Sequence, residues 1–166
     1  MKVMNRPRVP VFLAAVIGGA AGLLGWGTSA AVVSVGPETT VLAAATGAVG
    51  PSDAASETVV FTGQASISGK VINDPDFGAP PVLEIIIDLS NVRGQGARTG
   101  TAYLVSGQAI LHRPLLAFDP IELSISFAAN GDVLLARSAM ASFGVRYNAA
   151  QGMTTTPVRV TSQAPN

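Results

Sequence analysis

The chain has 166 residues, ten basic and ten acidic side chains, and no cysteine. That length suits one domain of ordinary size, and the missing thiols exclude disulfide staples, thiolate catalysis and Cys-ligated zinc or iron–sulfur centres. The charges are unevenly placed: Lys2, Arg6 and Arg8 precede the first carboxylate, Glu38, so seven basic face ten acidic residues beyond residue 37, against the cationic footprint that nucleic acid requires.

Residues 9–37 (VPVFLAAVIGGAAGLLGWGTSAAVVSVGP) carry no charge at all. An apolar run behind a basic head predicts a targeting segment, with residues 1–8 in the cytoplasm and the rest beyond the membrane, facing the periplasm of a bacterial envelope. Two readings stay open for residues 1–33. One is a signal peptide cleaved after Ala30 or Ala31, where Thr28-Ser29-Ala30-Ala31 supplies the small residues that cleavage needs; Ala43-Ala44-Ala45 is a later alternative. The other is an uncleaved transmembrane helix. Residues 10–33 as helix reach about 36 Å at ~1.5 Å per residue, enough for a ~30 Å hydrocarbon core. Ala14, Gly18 and Gly22 recur every four residues with Trp26 next in the row, a pattern that lets helices pack closely in lipid and sets an aromatic ring at the far interface.

Residues 34–57 hold Gly36, Gly47, Gly50, Pro37 and Pro51 and no aromatic residue, which predicts a flexible linker. A folded domain is expected over 58–163. Val59, Phe61, Ala65 and Ile67 alternate with Thr62, Gln64, Ser66 and Ser68, the period of a half-buried strand, and Gly63 within it marks a bulge or a close backbone approach. Asn73 through Gly78, followed by Pro80-Pro81, reads as a loop, and 82–89 as a second strand with Leu83, Ile85, Ile87 and Leu89 on one face. A Gly-rich loop is expected over 91–100. Strand signals resume at 101–105 and 107–113, as one strand bent at Gly107. Ile121, Leu123, Ile125 and Phe127 form the next strand; Asn130-Gly131 predicts a tight hairpin into a returning strand over 133–138, continued through 139–147. Gln151-Gly152 turns the chain into a last strand with Val158 and Val160, where Pro157 suggests an edge. About seven strands without a helix predict an all-β antiparallel sandwich of immunoglobulin-like type behind an N-terminal hydrophobic helix, with a small barrel as the alternative.

Each chemical motif has a plainer explanation beside it. Asp74-x-Asp76-x-Gly78 opens like a calcium loop, but Ile85 stands where the closing Glu belongs, and Asx turns explain the residues more simply. Gly94, Gly96 and Gly100 miss the phosphate-loop spacing by one residue and precede a strand. Arg93 and Arg98 are the candidate contact residues of that loop, for an anion or an acidic partner, set against a simply solvated loop. His112, the only histidine, can be drawn with Asp119 and a serine, yet no nucleophile-elbow pattern exists. Glu84 with Asp88, and Asp119 with Glu122, read as solvent-facing carboxylates. The expectation is a non-enzymatic extracytoplasmic protein without cofactor or metal, its β domain contacting other envelope or membrane proteins and, if uncleaved, its residues 9–33 in the bilayer. Two alternatives stand beside it: a single-span accessory subunit of a larger integral membrane complex, packing through Ala14, Gly18, Gly22 and Trp26, and a small-ligand or carbohydrate-binding module.

Overall fold

The computed structural model describes residues 33–34, 36–73, 80–130 and 132–163. The expected N-terminal helix with Ala14, Gly18, Gly22 and Trp26, the Asp74–Asp76–Gly78 motif and Gly131 lie outside these residues. Among the described residues no helix is long and apolar enough to cross a membrane. The fold is all-β. Its strands are β1 (Val33–Ser34), β2 (Thr39–Val49), β3 (Val59–Asn73), β4 (Val82–Asp88), β5 (Val92–Gly96), β6 (Ala102–Ser106), β7 (Gln108–Pro114), β8 (Asp119–Ala129), β9 (Arg137–Asn148), β10 (Gly152–Thr155) and β11 (Val158–Thr161).

The architecture is a closed barrel, and the immunoglobulin-like sandwich is not formed. Seven strands make the ring in the order β2-β11-β9-β8-β6-β5-β3, and β3 returns to β2. The closure turns on a segment that composition marked as linker. Within 34–57, Thr39–Val49 is a strand paired with β3 over its whole length, from Thr39 opposite Gly69 to Val49 opposite Val59. On its other edge it pairs in parallel with β11, Ala45 beside Val158 and Gly47 beside Val160. Alanine and threonine offer little apolar surface each, so composition alone suggests an untethered chain. A ladder on both sides supplies the backbone bonds, and the inward Ala43, Ala45 and Val49 are buried. With this strand placed, β11 is internal rather than an edge, and Pro157 precedes it where no ladder bond is lost.

β3 follows its predicted alternation and runs on to Asn73. It is shared by two strands that together span its length: β4 pairs with Ser66–Ile72 and β5 with Val59–Gly63. Between them residues 89–91 oppose only residues 64–65, so the chain bulges, and Gly63 receives the bulge. Its φ is +147°, and a Cβ there would lie 2.4 Å from the Asn91 carbonyl oxygen. The loop expected over 91–100 is instead β5 followed by a turn. Its glycines face inward because the space is taken: a Cβ on Gly94 would meet Val59 at 2.7 Å, and one on Gly96 would meet the Glu57 carboxylate at 2.2 Å. The bend at Gly107 is present, with φ +147°, and separates β6 in the ring from β7, which follows β4 outward. The hairpin expected at Asn130-Gly131 is present as the antiparallel β8–β9 pair, but its connection is longer: residues 133–135 are a 3-10 turn and the returning strand starts at Arg137, not at 133.

The lumen is filled. Phe61 and Phe127 meet edge to face with centroids 5.0 Å apart, and Tyr103 packs on Phe127 at 5.9 Å. Ile67, Ile85, Ile87, Val145, Met153 and Val158 are fully buried in the same core, with the small Ala43, Ala45, Ala139 and Ala141 buried beside them.

Candidate functional site

Three polar arrangements and one apolar loop stand out on this scaffold. The first sits at the barrel end that holds the β5–β6 turn. Glu57, almost wholly buried, precedes β3 and points its carboxylate at that turn. Oε2 accepts the backbone N–H groups of Arg98 and Thr99, each at 2.9 Å, and Oε1 accepts the Thr99 hydroxyl. These bonds, the Thr99 hydroxyl first and its backbone N–H next, hold the Glu57 carboxyl below the usual range. Arg137 on β9 donates to the Glu57 carbonyl at 2.9 Å and to the Gly50 carbonyl, and its guanidinium lies 5.1 Å from the Phe127 ring centroid. A cavity of about 510 Å³ opens beside Arg137, between Gly50, Pro51, Ser138 and Ser162. Arg137 is already a strut across that end of the barrel.

Arg93 and Arg98 do not form one cation-lined loop. Arg93, on β5, bends back to the carbonyls of Ser90 and Val92. Arg98 is in the turn and engages Glu57 through its backbone N–H. The turn is built around a carboxylate, which explains its order without an anion ligand.

The second arrangement is a row across the outer face of β3, β4 and β7. Strand register puts Lys70 opposite Glu84, and Glu84 opposite His112. Lys70 Nζ lies 3.0 Å from Glu84 Oε1, and His112 Nε2 3.1 Å from Glu84 Oε2. The hydrogen bond from His112, then that from Lys70, pulls the Glu84 carboxyl below its ordinary range; Glu84 in turn raises Lys70. Glu84 is thus a paired, largely covered carboxylate, not a solvent-facing one. Asp88, two positions along the same face, binds the Ser90 backbone N–H at 2.8 Å, so these two carboxylates do not form one site.

The third joins Arg113, near the end of β7, to Asp119, at the start of β8. Arg113 Nε lies 2.7 Å from Oδ2 and Nη2 2.8 Å from Oδ1, a two-pronged contact to a buried carboxylate. His112 and Asp119 therefore serve different partners, and the triad sketched from the sequence is not assembled. Between Arg113 and Asp119 the chain exposes Leu115, Leu116 and Phe118. Phe118 leans against Gly144, where an added Cβ would meet its ring at 2.3 Å, and Arg146 lies 5.6 Å from its centroid.

Among the described residues no group of three His, Asp or Glu side chains converges to hold a metal ion. No family model, no curated protein and no solved structure matches the chain. Function has to be read from residues and geometry. The Lys70–Glu84–His112 row and the Glu57 anchor escaped sequence reasoning because each depends on which strands are neighbours; only the burial of a lone Glu before an apolar strand, had it been known, pointed to the second.

Proposed function

We infer that the chain is an extracytoplasmic envelope protein whose barrel is a non-enzymatic structural and interaction module. The reading is supported first by the uncharged stretch 9–37 behind Lys2, Arg6 and Arg8, which favours lipid or export over water. The observation that carries the interaction role is β7. It is the last strand of the sheet, laddered to β4 on one side and, among the described residues, to nothing on the other. Its centre bears Ile110, 63% exposed. A strand at the end of a sheet is a template for an extended segment of another protein, and here no bulge or proline interrupts it before Pro114. The partner is another envelope or membrane protein; a single-span accessory role within a larger membrane complex is the narrower form of the same reading. A ligand-binding lumen is not favoured, because Phe61 and Phe127 occupy it.

The test uses the natural absence of cysteine. A photocrosslinker on Ile110→Cys, in native membranes, should yield a product heavier than the monomer, while one on exposed Arg159→Cys should not. Monomer alone from both positions would remove β7 as the contact strand.

A further inference from the structure

The end of the barrel at which the chain arrives also carries its exposed apolar loop. Ser34 of β1 is paired with Ile72, Ile72 with Val82, and Val82 with Pro114. These residues form one row across four strands, so the chain's entry and the start of the Leu115–Phe118 loop are separated by three strand spacings, about 14 Å. The N-terminal apolar segment therefore delivers the barrel with this end foremost. The strand at 39–49 removes the spacing that a free linker would have provided, since β1 begins at Val33, within the uncharged stretch 9–37. From Trp26, expected at the far interface, seven residues lead to Val33, at most about 24 Å even when fully extended.

At that end Leu115 is 41%, Leu116 48% and Phe118 47% exposed. Arg146 lies over the Phe118 ring, a cation beside an aromatic, as suits a headgroup boundary. Charge does not provide the attraction: Glu38 is close to the same end. The opposite end exposes Leu134 and Leu135 beside Asp132, but the uncharged N-terminal stretch joins the barrel at β1, at the other end. Two short leucines and a phenylalanine dock weakly by themselves; tethering within a few residues of the bilayer raises their effective concentration until they insert.

We propose that the Leu115–Phe118 loop seats the barrel on the outer surface of the bilayer that the uncharged segment before Val33 enters, inserting Leu115, Leu116 and Phe118 into the headgroup layer. This rests on the membrane-held reading above. It fixes the barrel's orientation, with the Glu57 end and the 3-10 turn at 133–135 facing away from the membrane.

The full chain, carrying a nitroxide on Leu116→Cys or on Leu134→Cys, is reconstituted into phosphatidylcholine vesicles with and without phosphatidylglycerol. Collisions with oxygen and with a water-soluble nickel complex then report depth. The label at 116 should favour oxygen, the label at 134 should favour nickel, and both results should be indifferent to phosphatidylglycerol. Adding Leu116→Asp to a label on Leu115→Cys should return that label to water without moving the urea midpoint. A chain that floats with the vesicles while the label at 116 stays aqueous overturns the docking and leaves membrane retention intact. A chain that does not float overturns the retention, and the docking with it. A label at 116 shielded from both reagents would give the loop to a protein partner and overturn the lipid assignment.

Discussion

Gly47 on β2 lies so close to Val160 on β11 that a Cβ on Gly47 would stand 1.9 Å from the Val160 carbonyl oxygen. This is the parallel contact that closes the barrel, and it is backbone against backbone, so no side chain can swing aside. Gly47→Val should destabilise the chain by an amount at or above the upper end of the ~1–3 kcal/mol typical of overpacked interiors. The same change at Gly107, where a Cβ would meet nothing within 4 Å, carries only the backbone cost of its φ of +147°. Urea midpoints of the two variants decide it. An unshifted midpoint for Gly47→Val would mean that β2 and β11 are not neighbours.

The Lys70–Glu84–His112 row makes a prediction about acid. Glu84 titrates below its ordinary value of 4.5 in the folded chain, first because His112 bonds it and then because Lys70 does. A carboxylate lowered in this way adds stability that is in place above about pH 4.5 and is lost as pH falls through the folded value. Glu84→Gln keeps the shape and removes that contribution. The variant should be less stable than the parent at neutral pH, and the two melting temperatures should converge as pH falls through the folded value of Glu84. Glu57 and Asp88 are lowered as well, so the variant keeps part of its acid slope. Parallel melting curves for parent and variant across this range would remove the row as a source of pH dependence.

Individual strands were legible from sequence where side chains alternate strongly, as in Val59–Ile67, Leu83–Leu89 and Ile121–Phe127. Such residues place their apolar groups by local geometry alone, and the burial of Phe61, Ile85 and Phe127 follows. The ring itself was not legible. It closes through Thr39–Val49, whose alanines carry too little apolar surface to announce a strand, and through a parallel pairing with β11 far along the chain. Gly94 and Gly96 misled in the same manner: glycine usually signals a loop, yet here it makes room for Val59, Phe61 and Glu57. Charged pairs belong to the same class, since Lys70 and Glu84 meet only because β3 and β4 are neighbours in one particular register.

Glu57 is the clearest single point at which the β5–β6 turn is held. Its two carboxylate oxygens serve the Arg98 and Thr99 N–H groups and the Thr99 hydroxyl, and no other carboxylate contacts that turn among the described residues. Glu57→Ala leaves the two N–H groups to water and opens space beside Gly96. Amide exchange at Arg98 and Thr99 should quicken markedly, while exchange along β8 and β9 changes only as far as global stability falls. Glu57→Gln keeps an acceptor oxygen and should lie between. Equal protection of Arg98 and Thr99 in all three proteins would show that the turn holds itself through its own backbone bonds, such as Gly100 N–H to the Gly96 carbonyl.

Under the export proposed above, the closure through β2 also bears on where the chain can be cut. Cleavage after Ala45 would remove Thr39–Ala45 and leave the β2-facing edge of β3 unpaired from Gly63 to Gly69. It would expose a row of ladder groups and the core beneath Ala43 and Ala45, costs that a barrel of this size cannot absorb within the ~5–15 kcal/mol of a typical domain. Cleavage after Ala30 or Ala31 leaves β1 and β2 whole, as does no cleavage at all. Intact mass spectrometry of the chain recovered from an expressing bacterium should therefore find an N-terminus at Met1, Ala31 or Val32. A truncated chain starting at Thr46 should be recovered unfolded, with amide protection lost throughout. A soluble, cooperatively melting protein that begins at Thr46 would show that the ring closes without β2, and the seven-strand barrel would have to be redrawn.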